Sequence, residues 1–225
     1  RDDLDTAPPA GLGDVLSGLP GVRSTFFGPG ASRPVIRGLA GPRVLVLTNG
    51  VGMIDASALS PDHQVATDPQ EAERIEVLRG PSALAYGGSA IGGVVNVIDD
   101  RIPNKIVDGF HGRMLASGSS GDRGQMASAA FKFGAGDWVF SLDGLRRESG
   151  DYEVPVDQLS RRLAEAEGLP RPLRETTKVA NSAVELTNYG GGVSYVGSLG
   201  YGGVSIKKTD TTYGVAAEED VTIGL

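Results

Sequence analysis

From about residue 109 onward, apolar and polar side chains alternate with a period of two. The alternation recurs in five runs, at residues 110–117, 127–133, 138–144, 189–195 and 204–206. Because successive side chains of a β-strand point to opposite faces, the pattern predicts strands with one apolar and one polar face. Residues 221–225 are predicted to open a sixth strand. The second half of the chain is therefore predicted to form an antiparallel sheet.

The connections between these strands are short at one end of the sheet and long at the other. Residues 135–137 and 197–200 are predicted tight turns, whereas residues 147–188 form a long connection with its own predicted helix at residues 159–167. Trp138, Tyr195 and Tyr201 lie beside the short turns, where an aromatic girdle would border a membrane. This layout is typical of outer-membrane barrels. A soluble antiparallel sandwich with ordinary hairpins is the alternative that the pattern leaves open.

The first hundred residues have a mixed α and β pattern. Apolar residues at helical spacing predict a short amphipathic helix within residues 11–22, which ends at the Pro-Gly pair. Short aliphatic runs bounded by turn residues predict strands at residues 34–38, 44–48, 73–79 and 94–98, with a tight turn at 49–50 and a helical turn at 82–86. This half of the chain is therefore predicted to be a small α+β unit.

Composition excludes several classes of protein. The chain has 34 glycines among 225 residues, no cysteine, 40% hydrophobic residues and a net charge of −7. It lacks the Gly-X-Y repeat of collagen, and its apolar content is too high for an acidic disordered chain. Without cysteine there is no disulfide or thiolate metal site. An acidic chain with scattered basic residues also has no field to attract a phosphate backbone, so no nucleic-acid partner is predicted.

Membrane helices and leader segments are not predicted either. The chain contains no run of 18 apolar residues, and its start lacks the basic, apolar and small-residue pattern of a signal peptide. A membrane role would therefore require a β-barrel or a segment outside this chain.

Enzyme motifs are incomplete in this sequence. Residues 87–91 (GGSAI) begin like the G-x-S-x-G nucleophile elbow but carry Ile91 at the last glycine position. Residues 28–30 (GPG) are not followed by the Gly-Lys-Ser/Thr of a phosphate-binding loop, and His-Glu-x-x-His is absent. We therefore predict that the protein is not an enzyme and has no cofactor.

Four ordered blocks of the first hundred residues resemble the plug domain of TonB-dependent outer-membrane receptors. The blocks are residues 19–22 (LPGV), 34–38 (PVIRG), 73–81 (ERIEVLRGP) and 85–98 (AYGGSAIGGVVNVI). A weaker resemblance to the branch that contains zinc-uptake receptors rests on residues 60–63 (SPDH), 150–155 (GDYEVP) and 212–214 (TYG).

The family resemblance implies an α+β plug domain at residues 1–103. Residues 104–225 would then be the N-terminal part of a transmembrane antiparallel β-barrel of 22 strands, a size class with a plugged lumen. About five strands cannot close such a barrel. The chain is therefore expected to be a fragment of a longer receptor, with the signal peptide and the TonB box outside it.

The resemblance also implies a function and a location. Such a receptor lies in the outer membrane of a Gram-negative bacterium, in contact with outer-membrane lipid. It binds a scarce extracellular nutrient, here expected to be a metal ion or a metal complex. Energy from TonB and its inner-membrane complex then drives import into the periplasm. A siderophore or other organic-ligand receptor of the same fold, or a surface adhesion module, is the alternative.

Two arginines carry a structural expectation from the family. Arg37 and Arg79 each precede a glycine and are expected to pair with glutamates of the barrel wall, which would latch the plug. A confined guanidinium needs such bidentate partners. Solvated strand-end arginines are the alternative.

Ligand-binding candidates lie in the connections expected at the extracellular end. Carboxylate oxygens bind both hard cations and zinc. The zinc-uptake relatives, however, bring histidines to these loops, whereas this chain has only His63 and His111, neither of them there. His63 is a candidate ligand within the plug, and His111 is predicted to point into the lumen. The acidic candidates are Glu148, Asp151, Glu153, Glu218, Glu219 and Asp220.

Overall fold

A computed structural model of the chain describes residues 4–5, 10–52, 56–155, 166, 177–216 and 222–224. The elements from the first helix to the sixth strand form one unit, which we call the N-terminal unit. It contains α1 (Leu12–Leu16), β1 (Val22–Phe26), β2 (Ser32–Ile36), β3 (Val44–Thr48), β4 (Val51–Gly52), β5 (Arg74–Leu78) and β6 (Gly93–Ile98). Short 3₁₀ segments lie at Gly41–Arg43, Ala56–Ala58, Pro69–Glu71 and Gly80–Tyr86.

The N-terminal unit is built around a small mixed sheet. Its strand order is β4-β3-β6-β5, with β3 and β6 parallel and the other pairs antiparallel. The hairpin of β1 and β2 stands apart from this sheet and packs against α1. The largest apolar core joins the helix, the hairpin and the sheet through Leu12, Leu16, Val22, Ile36, Val44, Val46, Val65, Ala72, Val95 and Val97. The predicted α+β unit is confirmed.

Two local predictions are corrected by the structure. The predicted helix is only five residues long, and Val22 belongs to β1, because Gly21 turns the chain with a φ of +75°. The strand predicted at 34–38 ends at Ile36, since Arg37 (φ +51°) and Gly38 (φ +80°) form a tight turn. In the described part of the chain, no helix is long and apolar enough to span a membrane.

The remaining strands form one antiparallel sheet, which we call the wall. It contains β7 (Phe110–Gly118), β8 (Gln125–Ala135), β9 (Trp138–Ser149), β10 (Val184–Gly197), β11 (Gly200–Gly214) and β12 (Thr222–Gly224), in sequential order. The five predicted strands and the start of a sixth are thereby confirmed. Two-residue turns join β8 to β9 and β10 to β11, whereas residues 150–183 connect β9 to β10. The predicted helix at 159–167 lies outside the described residues, apart from residue 166.

The outer face of the wall is apolar and uncovered. Its exposed side chains include Phe110, Met114, Trp138, Phe140, Leu142, Tyr189, Tyr195, Val204 and Ile206. In a soluble sandwich a second sheet would cover this face, but within the described ranges the wall is a single sheet that packs against the N-terminal unit on its other side. The sandwich alternative is therefore wrong. A contiguous apolar outer face of alternating residues is what lipid requires of a barrel wall.

Aromatic residues mark the end of the wall that carries the short turns. The rings of Trp138 and Tyr195 meet edge to face with centroids 5.3 Å apart, and the Tyr195 hydroxyl donates to Asp137 Oδ2 at 3.2 Å. Tyr201 is exposed on the neighbouring strand. Their position is the one that the sequence predicts for an aromatic girdle.

Candidate functional site between the N-terminal unit and the wall

Arg101 joins the N-terminal unit to the wall. It follows β6, and its side chain is only 7% exposed. Its Nε and Nη2 donate to both carboxylate oxygens of Asp143 on β9, at 2.8 and 2.7 Å. Nη1 and Nη2 also donate to Asp99 and Glu71 at 2.7 and 2.5 Å. One guanidinium therefore binds three carboxylates, one of them in the bidentate geometry that gives strong, directional pairs.

The charge of Arg101 is secured by these partners. Burial by itself would lower the pKa of Arg101, but the hydrogen bonds with Asp143 and the negative charge of Glu71 outweigh burial and raise that pKa.

Glycines of the wall leave space for the side chain and the main chain of Arg101. A Cβ at Gly190 would lie 2.8 Å from Arg101 Nε, and a Cβ at Gly192 would overlap the Arg101 carbonyl. Two glycines of β10 therefore form the seat for this residue.

Glu71 is the second link between the two parts. It ends the 3₁₀ segment Pro69–Glu71, and its side chain is 5% exposed. Besides Arg101, it accepts Nζ of Lys207 on β11 at 2.8 Å and the side-chain amide of Asn188 on β10. A single buried carboxylate thus connects the N-terminal unit to two adjacent wall strands, and its removal would leave buried donors without a partner.

A third buried contact pairs Asp68 with Arg147 of β9. The closest oxygen and nitrogen are 3.3 Å apart, and the side chains are 2% and 5% exposed. Neither guanidinium Nη atom of Arg147 makes a hydrogen bond of good geometry. Electrostatic attraction and burial therefore hold this pair together more than directional hydrogen bonds do. Loss of one partner would leave the other as an uncompensated buried charge.

His63 lies at the end of the wall that carries the long connections. Its Nδ1 is 3.5 Å from the hydroxyl of Tyr213, a fully buried residue of β11. The same hydroxyl accepts the main-chain N–H of Gln64 at 2.9 Å, and Thr211 Oγ1 donates to the Gln64 side-chain oxygen at 2.9 Å. The predicted ligand role of His63 stays a prediction, and the structure gives the residue a phenol and its own loop as neighbours.

The predicted acidic ligands have structural partners of their own. Glu148 accepts Arg146 Nε at 2.8 Å, and Glu153 lies 4.0 Å from Lys178 Nζ. Asp151 accepts two main-chain N–H groups where the connection returns to β10.

These candidates do not converge on one point. Across the described ranges, no three or more His, Cys, Asp or Glu side chains are grouped so that they could hold a metal ion. Glu218, Glu219 and Asp220 lie outside the described residues. A metal-binding role for this acidic set therefore stays a prediction.

The two predicted latch arginines lie side by side on an exposed face of the N-terminal unit. Both approach Gly21, and Arg79 Nη1 donates to the carbonyl of Pro20. Arg37 is placed there by its tight turn with Gly38. Among the described residues neither guanidinium pairs with a carboxylate of the wall, so the latch stays a prediction.

Sequence reasoning missed the residues that do connect the two parts. The signals were a charged triplet directly after an apolar strand, residues 99–101 (DDR), and a glycine triplet within a wall strand, residues 190–192. Each is ambiguous alone, because a charged triplet is normally a solvated strand end. Only the register of the wall against the N-terminal unit brings them together.

His111 lies on the inner side of the wall, as predicted. It lines a cavity of about 250 Å³ together with Arg101 and Glu73 of the N-terminal unit. Its Nε2 is 3.0 Å from the carbonyl oxygen of Asp108.

Comparison with solved structures shows the same fold in outer-membrane transporters. The copper transporter OprC aligns with a TM-score of 0.71 at 21% identity, over 94% of this chain and 29% of its own. The FrpB iron transporter from Neisseria meningitidis aligns with a TM-score of 0.69 at 15% identity, over 92% of this chain and 30% of its own. The siderophore receptor PirA from Pseudomonas aeruginosa aligns with a TM-score of 0.59 at 23% identity, over 94% of this chain and 32% of its own. The chain thus spans less than a third of the length of these proteins.

The family comparison identifies the N-terminal unit. Residues 1–94 match the model of the TonB-dependent receptor plug domain. The three structural neighbours are named as transporters or a receptor, and none is named as an enzyme. None of them tests the resemblance to zinc-uptake receptors, which stays a prediction. Residues 1–94 are thus similar to the plug domain of TonB-dependent receptors, and the chain as a whole shares the fold of the first part of these transporters and receptors.

Proposed function

We propose that the receptor containing this chain imports a scarce metal ion or metal complex into the periplasm with energy supplied through TonB. The observation that carries the proposal is the plug seated on the inner face of the wall by buried ionic contacts at Arg101, Glu71 and Asp68. A lumen blocked in this way cannot be a passive pore. Passage of a ligand requires that these contacts loosen, and an external energy source meets that requirement.

The class of ligand is supported by the neighbours rather than by a built site. Two of them are named for copper or iron and one for a siderophore. Under this proposal the first encounter takes place at the long connections, where Glu148, Asp151 and Glu153 present carboxylates and His63 lies below them in the plug. A siderophore receptor is the second candidate, and the name of PirA supports it.

The ligand is tested by uptake in whole cells. Strains with and without the full-length receptor are grown under chelation of zinc, copper or iron, and cell-associated metal is measured with the free metal and with ferric siderophores as probes. The control is a strain that keeps the receptor but lacks TonB. We expect one probe to require both proteins. Equal accumulation of every probe in all three strains would refute the proposal, and unchanged growth under zinc limitation would refute its zinc version.

Plug movement is tested by a reducible cross-link between plug and wall. Gln64 Oε1 and Thr211 Oγ1 are 2.9 Å apart, so Gln64→Cys and Thr211→Cys would face each other across a gap that a short bis-methanethiosulfonate reagent can bridge. The reagent is needed because cysteine is shorter than glutamine and a direct disulfide requires the two Cβ atoms to lie about 3.5–4.5 Å apart. We expect uptake to stop when the pair is cross-linked and to resume on reduction, whereas each single cysteine treated with the same reagent leaves uptake intact. Full uptake through the cross-linked receptor would contradict a gating role for the plug.

A further inference from the structure

Two of the cavities between the plug and the wall differ in size and in what crosses them. The smaller, of about 250 Å³, lies against β7 to β9 and is crossed by the pairs of Arg101 with Asp143 and of Lys132 with Asp100. The larger, of about 520 Å³, lies against β10 and β11. The two cavities are neighbours along the same sheet, and Glu71, Asp99 and Arg101 line both of them.

The wall of the larger cavity is a polar ladder. Alternate residues of β11 line it, namely Ser205, Lys207, Thr209 and Thr211, while the residues between them, such as Ile206 (79% exposed), face outward. A strand with this alternation presents three hydroxyl groups and the ammonium group of Lys207 on its inner face. The hydroxyl groups can replace the water shell of a solute without holding it as tightly as a fixed charge would, and Glu71 compensates the charge of Lys207.

The plug side of the larger cavity has matching chemistry. Thr48 and Thr67 lie across from the ladder, with their hydroxyl oxygens 2.9 Å apart. The charged lining groups are paired with one another, as Glu71 is with Arg101 and Lys207. The cavity thus presents hydrogen-bonding groups and little net field, which suits a small hydrated solute more than a strongly charged polymer.

One buried acceptor in this lining has no partner. Asn188, the cross-strand neighbour of Thr209, is 2% exposed, and its Oδ1 makes no hydrogen bond. Buried side-chain acceptors are satisfied in most proteins, so an orphan facing a polar cavity indicates that water or solute occupies the space. A volume of this size also lies in the range of small-molecule sites.

Hydrogen bonds from two plug residues reach the wall within the lining of this cavity, and we call these two sets of bonds its closures. Toward the long connections, Gln64 bonds to Thr211 and Tyr213. Deeper in the lumen, Glu71 bonds to Lys207 and Asn188. Each closure is a small set of bonds contributed by a single plug residue, so each can open without unfolding the plug core.

We propose that the passage for the transported solute opens along β10 and β11, through this cavity, for a small hydrated metal ion or a compact polar chelate. The proposal rests on the proposed function and adds the strands of the wall along which transport takes place. Along β7 to β9, the pairs of Arg101 with Asp143 and of Lys132 with Asp100 stay closed. Along β10 and β11, Gln64 releases Thr211 and Tyr213, and Glu71 keeps Arg101 but releases Lys207 and Asn188.

The test uses single cysteines in the full-length receptor, in a background without other cysteines, as this chain provides. Thr209→Cys reports on the larger cavity, Ala130→Cys on the smaller one, and Ile206→Cys on the outer face. Cells with and without TonB are labelled with the cationic thiol reagent 2-(trimethylammonium)ethyl methanethiosulfonate. Because labelling follows the population of the open state, we expect TonB to raise the rate at Thr209→Cys by at least about tenfold. The rates at the other two positions should not change.

Every other pattern overturns the proposal. A rise at Ala130→Cys alone places the passage along β7 to β9. A rise at both positions means that the plug leaves the whole of this sheet, and no rise means that no passage opens along it. Ser205→Cys repeats the measurement if Thr209→Cys fails to assemble. Uptake by the cysteine-free receptor is measured in the same cells. Loss of uptake with TonB-dependent labelling retained would refute the proposed function and leave the passage standing.

Discussion

Replacing Arg101 tests the main contact between plug and wall. Arg101→Met keeps the length and apolar stem of the side chain but removes a guanidinium that is 7% exposed and bound to three carboxylates. Glu71, Asp99 and Asp143 would then face one another with only Lys207 left to compensate Glu71. We expect the plug to lose much of its attachment, because the carboxylates are left as uncompensated buried charges.

The magnitude follows from the burial of the partners. Removing one member of a buried ion pair costs about 3–5 kcal/mol. Asp143 is 21% exposed and Lys207 remains, so we take the lower end, about 3 kcal/mol. With a urea dependence of about 1–3 kcal/mol per molar, the midpoint of plug unfolding should fall by at least about 1 M.

The assay follows the plug separately from the barrel. A Val95→Cys background places a thiol in the fully buried plug core, and its labelling is measured against urea in the full-length receptor. The matched control is Arg146→Gln, which breaks the pair of Arg146 with Glu148 on the exposed side of the same wall. Solvent screens an exposed pair, so the control midpoint should move much less than the midpoint of Arg101→Met.

The reasoning has two further checks. Arg101→Lys keeps one charge but loses the bidentate geometry, so its midpoint should lie between those of the wild type and Arg101→Met. If Arg101→Met moved the midpoint no more than Arg146→Gln does, the buried cluster would not hold the plug, and the argument from burial would be refuted.

Three smaller perturbations test other contacts with the same urea assay. Tyr213→Phe removes the acceptor of a plug main-chain N–H and should cost about 1–2 kcal/mol, whereas Tyr201→Phe on the exposed face should be neutral; equal effects would contradict the assignment. Gly192→Ala would push a methyl group into the plug main chain and should lower the free energy of unfolding by about 1–3 kcal/mol. Gly202→Ala is the control and should have no packing cost, because its added Cβ meets nothing within 4 Å. Burial raises the pKa of Asp14 above its usual 3.8, so the folded state binds more protons than the unfolded state, and plug stability should fall as pH rises from 3.8 through the raised pKa. Asp14→Asn should remove this dependence of stability on pH. An unchanged dependence would show that Asp14 is not its source.

Much of the architecture could be predicted from local patterns. The alternation from residue 109 onward predicted the wall strands and their outward faces, because strand periodicity is a property of consecutive residues. The two-residue turns and the aromatic residues beside them followed in the same way. The helix prediction overran because apolar spacing does not show where a helix ends: the helix stops at Leu16, several residues before the Pro-Gly pair at which the sequence predicted its end.

The candidate site could not be predicted in the same way. The residues chosen for their chemistry are conspicuous in the sequence but do not form one site in the described structure. Arg37 and Arg79 lie side by side without a wall carboxylate, and the described acidic candidates have separate partners. Asp68 and Glu71 had no distinguishing motif. Their importance comes from burial against the wall, and burial depends on the whole fold.

The sequence by itself determined the two-part organisation, the resemblance of the first part to a plug domain and the orientation of the wall, since these depend on periodicity and on short ordered blocks. The tertiary structure alone decided which charges pair and where the plug stands away from the wall. Arg101 meets Asp143 across 42 residues of chain, and Glu71 meets Asn188 across 117. Such contacts depend on the register between two separately folded parts, and a small change in that register would bring different side chains face to face.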